Sequence, residues 1–344
     1  MNFRFALVIS SVCAFMWSPT ALANHPVPTA LQSQFEGDQL VLEDLNWMAG
    51  NFSDSDDEQR EQFIAIEEWL EGCGKEKLEI AKLSFVERGI DANMLTSSDV
   101  ESLECRQVRG VISMIKRGNF KSYQELRKTE ESIRPRVETF MAVLKAAELT
   151  SARIHQSSLR DKLLTRALGE QILRKGMNWG RGDYAEAAPI TDNERAVLQA
   201  HLLTATHIRD HWNTNWLKGI LDKEGWPKAS VVGADASKEA WLLAQHADHD
   251  PLFQLQVLTY MSEAVAVQEA NPNDYAYLYD RVMLNLTGRQ RYATQLPCSK
   301  GTRTPDNLED PGSVNELRAE VGLPPLESYI AQMNERFGEC SPDI

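Results

Sequence analysis

The sequence is short of positive charge. Thirty-six lysines and arginines stand against fifty aspartates and glutamates, a net charge of −14. A nucleic-acid partner needs a basic stripe to displace counterions from phosphates. None is present, so nucleic acid is excluded and the acidity is read as a solvated shell. There is no glycine-rich phosphate loop and no Gly-x-Ser-x-Gly elbow. No sustained apolar/polar alternation marks strands, and no repeat of 20 to 50 residues marks a solenoid. Beyond the N-terminus no apolar run approaches the ~20 residues of a membrane span. Cysteine is scarce, with five in 344 residues, and their spacing fits neither a zinc ribbon nor a CxxC redox pair.

What is present begins with a leader. Arg4 precedes an apolar stretch from Phe5 to Trp17, and Ala21-Leu22-Ala23 has the small-x-small form of a cleavage site. Residues 1–23 read as a signal peptide, and the mature chain, starting at Asn24, as an exported, periplasmic or secreted protein with no membrane partner. Cys13 leaves with the leader. Cys73, Cys105, Cys298 and Cys340 remain, an even number in an oxidising compartment. Three connectivities are open. Proximity favours Cys73 with Cys105 and Cys298 with Cys340.

The rest reads as helices. Hydrophobic residues make up 42% of the chain, enough for one large or two ordinary domains. Asp54 to Glu58 is a charge run before a helix carrying Phe63, Ile66 and Trp69, broken at Gly72-Cys73-Gly74. Ser98 with Glu101 and Thr191 with Glu194 have the form of capping boxes. Pro135 is expected at the first turn of a helix, and another helix spans 159 to 174. Gly176 to Ala188 reads as a loop. Asp235 or Ser237 is expected to cap the helix of Trp241, Asp250-Pro251 to open the next, and Asn273 or Asp274 to cap the one ended by Gly288. Two short helices flank Gly322 to Pro325. The predicted fold is all-α, a multi-helix globular array. An N-terminal helical region, 24–160, precedes a C-terminal helical domain, 161–338.

Chemistry concentrates between Gly225 and Gln295. Gly225-Trp226-Pro227, Gln245-His246-Ala247-Asp248, Asp280-Arg281 and Tyr292-Ala293-Thr294-Gln295 recur in that order in a bacterial family classified only as a domain of unknown function, which the chain resembles. Gln171 with Arg174, Asp210 with Asn213, Leu308 to Pro311 and Val321 to Leu326 match it as well. The resemblance covers about Leu163 to Met333. It implies a domain and carries no activity. Ala293 stands where the family has glycine, which puts any need for positive φ there in question. Glu170 replaces a more usual aspartate.

His246 is the expected acid–base group, oriented by Asp248 or Asp280. The bland reading is a histidine that locks a helix end. Arg281 can grip a carboxylate or phosphate two-pronged. Gln245 and Gln295 can hold an amide or hydroxyl. The six are expected to line one cleft, with Trp226 or Tyr292 on its wall and Asp210 and Asn213 opposite. His207, His211, His246 and Asp248 were weighed as a zinc set, but His207 to His211 lacks the glutamate of the zinc-protease signature. No metal and no cofactor is expected. The reading is an enzyme acting on a small polar molecule or peptide. A non-catalytic binding or interaction module and, more weakly, a zinc hydrolase are the alternatives.

Overall fold

A computed structural model describes residues 26–154, 158–179, 189–299, 301–305, 307–338 and 340. The expected leader, Cys13 included, and residues 180–188 of the expected loop lie outside them. The described residues form thirteen α-helices. In order these are α1 Thr29–Gln32, α2 Asp57–Gly72, α3 Lys75–Val86, α4 Leu103–Arg117, α5 Tyr123–Ile154, α6 Leu159–Gly176 and α7 Asp192–Glu224. Then come α8 Ala229–Val232, α9 Ala234–Gln245, α10 Pro251–Ala266, α11 Pro272–Thr287, α12 Val314–Glu320 and α13 Leu326–Phe337. Strand among the described residues is confined to two hairpins of two-residue strands, at 35–40 and 298–303. The fold is all-α. No helix among the described residues is long and apolar enough to cross a membrane.

Local chemistry sets several boundaries. In the charge run, Asp56 accepts from the Gln59 N–H at 2.8 Å and Gln59 returns the bond at 3.0 Å, which starts α2. Thr191 and Glu194 do the same for α7. Asp250 accepts from the Phe253 N–H, with Pro251 at the first helical position of α10. Gly225 and Gly288, both with φ near +70°, end α7 and α11.

Three expected caps and one expected helix start fall elsewhere. Glu101 cannot reach back to Ser98 because Arg109 holds its carboxylate at 3.0 and 3.2 Å. Thr96 and Asp99 instead box a short 3-10 turn, and α4 starts after Ser102. Asp235 is drawn to Arg160 and Ser237 to the Trp226 indole, so Gly233 precedes α9. Asn271 caps α11, with Pro272 at its first position, two residues before the expected cap. Pro135 lies inside the 32-residue α5 rather than at a helix start. Its ring removes a bond to the carbonyl of residue 131, which is exposed, so water can substitute there.

Two large hydrophobic cores form among the described residues, beside a small cluster of Ala276, Tyr292 and Leu323. One gathers α2, α4, α5 and the first half of α7. The other gathers α3, α9, α10, α11 and the second half of α7. α6 contributes to both, with Leu173 in the first and Leu163 and Ala167 in the second. α4 and α7 lie antiparallel and close. A Cβ on Gly118 would stand 3.2 Å from that of Ala196, and one on Gly110 would stand 3.0 Å from the His207 ring. That register puts the start of α4 level with Asp210 and His211. Disulfides join Cys73 to Cys105 and Cys298 to Cys340, the pairing that proximity favoured.

Candidate functional site

α6 presents Glu170 and Arg174 one turn apart on one face. The Arg174 Nε donates to Glu170 Oε1 at 2.7 Å, and its Nη2 donates to both oxygens of Asp210 on α7 at 2.9 Å. Glu170 is almost sealed, its side chain 1% exposed. His246 is the first residue past α9, and its Nδ1 lies against Glu170 Oε1. Its ring keeps 13% exposure, and among the described residues its Nε2 has no hydrogen-bond partner. A chain of contacts therefore runs His246–Glu170–Arg174–Asp210. Burial, opposed by Arg174, pushes the Asp210 carboxyl up to about 7.

Beside this chain Asp248 faces Arg281. The Arg281 Nε donates to Asp248 Oδ1 at 2.8 Å and its Nη2 to Oδ2. Burial raises the Asp248 carboxyl, but the Arg281 bonds outweigh it and hold the group below its ordinary value. Gln254 donates to Asp248 and to the carbonyls of Ala244 and Gln245, which satisfies the end of α9. Arg174 and Asp210 both act electrostatically on Arg281, so the two groups are neighbours. Side-chain exposures of 34% for Arg281 and 44% for Asp248 show that solvent reaches this second pair.

The surrounding imidazoles stay neutral. Burial, reinforced by Arg106, lowers His207 and His249 to about 3, and burial lowers His211 too. The rings of His211 and His249 stand 5.7 Å apart. The candidate zinc donors thus point to different places: His246 to Glu170, Asp248 to Arg281, and His211 Nε2 to the Asn215 amide at 2.9 Å. Among the described residues no three such side chains converge as a ligand set.

The remaining expected residues lie in other contacts. Asp280 is fully buried and accepts from the backbone N–H groups of Arg291, Tyr292 and Thr294 at 2.8, 2.9 and 2.8 Å. Arg318, also fully buried, donates to the carbonyls of Tyr292 and Ala293 in the same loop. Gln295 is tied through its backbone to Gln290, and the Tyr292 ring packs edge-on against Tyr279. Ala293 sits at φ = 53°, the left-handed region that favours glycine. Asp280 and Arg281 part company because successive helical residues project about 100° apart. Arg281 turns to Asp248, and Asp280 turns to the loop. Asn213 accepts from Arg166 at 3.0 Å. Trp226 donates to Ser237 and lines a separate cavity of about 270 Å³ with Trp241, Met261 and Asp274.

Residues 174–340 match the model of DUF6624, a family of unknown function. The DUF6624 region supplies Arg174, Asp210, His246, Asp248 and Arg281. Glu170 lies just ahead of it, and Arg106 comes from the half of the chain outside it. No curated protein and no solved structure shows detectable similarity. Sequence reasoning missed Glu170 as the partner of His246.

Proposed function

We propose that the chain is an exported enzyme acting on a small polar molecule or peptide, with His246 as its acid–base group. The observation that carries this reading is the close approach of His246 Nδ1 to the sealed Glu170 carboxylate, an approach short of hydrogen-bond geometry, while no described residue hydrogen-bonds Nε2. A histidine that donates Nδ1–H to a buried carboxylate keeps its Nε2 lone pair for a substrate or water proton. Glu170 takes the orienting role that the sequence pointed to Asp248 or Asp280 for. Arg174 fixes Glu170 in turn. The solvent-reached Arg281–Asp248 pair offers donors and acceptors for a polar substrate, and Gln245, whose carbonyl shares the Gln254 amide with Asp248, is the next residue assigned to hold it. Two disulfides, the absence of a membrane-crossing helix among the described residues and the leader-like start of the sequence support export.

One feature favours the alternative, a non-catalytic binding module. The Arg174–Asp210 and Arg281–Asp248 pairs are closed by two-pronged bonds, while Glu170 Oε2 and Asn213 Nδ2 are buried without a partner, polar atoms that a ligand can engage without any turnover. Untargeted metabolite and peptide profiling separates the two. Products that appear with wild type and vanish with His246→Ala, at a melting temperature close to wild type, support the enzyme. Ligand retention without turnover supports the module. A loss of several kcal/mol in His246→Ala marks the residue as a structural keystone instead.

A further inference from the structure

The start of α4 brings to this site one arginine whose guanidinium no described residue hydrogen-bonds. Arg106 is one turn before Gly110, the point where α4 touches His207, so in the antiparallel register it lies level with Asp210. Asp210, Asp248, Glu101 and Asp99 all act electrostatically on it. Each of these carboxylates is already taken. Asp210 is bound by Arg174, Asp248 by Arg281, Glu101 by Arg109, and Asp99 by the N–H and hydroxyl of Thr96. Among the described residues the Arg106 guanidinium has neither a hydrogen bond nor an ion pair. The nearby imidazoles of His207 and His249 are neutral and acted on by the same guanidinium, so they add no competing charge. Arg106 is only partly exposed. A partly desolvated guanidinium whose nearby carboxylates are all bound elsewhere is a costly arrangement until an anion arrives.

We infer that Arg106 anchors an anionic oxygen group, a carboxylate or a phosphate, on the molecule that binds beside His246. The inference rests on the reading of that site as one for a small polar molecule or peptide, and it narrows the class to anionic ones. The guanidinium fork matches both oxyanions two-pronged. It also gives the half of the chain outside DUF6624 a direct part in recognition, because that half supplies the anchor while the family region supplies His246.

Titration of the full chain with inorganic phosphate and, separately, with malonate tests this, at constant ionic strength and with thermal stabilisation as the readout. Wild type is expected to show saturable stabilisation by at least one ion, and the effective ion names the class. Arg106→Gln is expected to weaken binding by about tenfold or more, a difference of ~1.4 kcal/mol. The exposed control Arg88→Gln is expected to bind as wild type does. Arg106→Lys, which keeps the charge but not the fork, is expected to fall between wild type and Arg106→Gln, and it carries the test if Arg106→Gln does not fold. Saturable binding by neither ion overturns the inference, as does undiminished binding by both Arg106 variants. His246→Ala keeps the ion binding if Arg106 is the anchor. Anion binding that survives alongside an absence of His246-dependent turnover therefore removes the catalytic reading and leaves this one standing.

Discussion

Replacing Arg174 with leucine removes the one cation that touches both buried carboxylates of the site. Glu170 and Asp210 are 1% and 6% exposed, so water cannot take the place of the guanidinium. Breaking a buried pair by deleting one partner costs about 3–5 kcal/mol. Part of that cost is avoidable if the carboxylates take up protons, which makes the loss depend on pH. Asp210 already has a folded value of about 7 against an ordinary 3.8. A carboxyl raised in the folded state contributes stability that is full below its unfolded value and is lost as pH rises through its folded value. Removing Arg174 removes a lowering influence and raises Asp210 further. The deficit of Arg174→Leu should therefore be steady at low pH and widen once pH passes about 7, so that at pH 8 it exceeds the pH 5.5 value by up to about 1.4 kcal/mol from Asp210. Urea unfolding of both proteins at the two pH values measures it. A deficit below about 1 kcal/mol at both, or one that does not change with pH, refutes the buried network as the source of the effect.

Asp280→Ala leaves two buried N–H groups, of Tyr292 and Thr294, and the part-buried one of Arg291 without an acceptor, at about 1–3 kcal/mol for each buried group, offset in part because a carboxylate no longer has to be buried. A net loss of about 3 kcal/mol or more is expected in urea unfolding, and a loss below about 1 kcal/mol contradicts the loop-locking role. Removing Cys73–Cys105 by double alanine substitution should cost on the order of 3–4 kcal/mol in the chain-entropy model. Non-reducing peptide mapping should return that pair and Cys298–Cys340, and a crossed pair would contradict the fold at both ends.

Features settled by neighbours in the chain were legible in the sequence. Thr191 with Glu194 and Asp250 with Pro251 set helix starts through bonds spanning three residues, and Gly288 ends a helix by its own backbone freedom. Ser98 with Glu101 carries the same local signature and fails, because Arg109 claims Glu101 from the next helix. The site divides in the same way. His246, Asp248 and Arg281 stand out as chemistry set among core residues, and the structure brings them together with Arg174 and Asp210. Asp280 looks identical in sequence, a carboxylate beside an arginine. Its role is decided by N–H groups 11 to 14 residues further on, in a loop with no periodicity to place it. Glu170 and Arg106 were illegible as site residues because each is an ordinary charged residue of an amphipathic helix. Only the packing of α4, α6, α7 and α9 gives them their partners.

The central claim is that Glu170 orients His246 so that Nε2 is free to move a proton. Long-range proton–nitrogen NMR of ring-labelled protein reads the tautomer of the neutral His246 ring directly. With Glu170 accepting from Nδ1–H, wild type should hold the proton on Nδ1 with Nε2 bare, and Glu170→Leu should lose that preference. A proton on Nε2 in wild type, or a tautomer unchanged in Glu170→Leu, contradicts it.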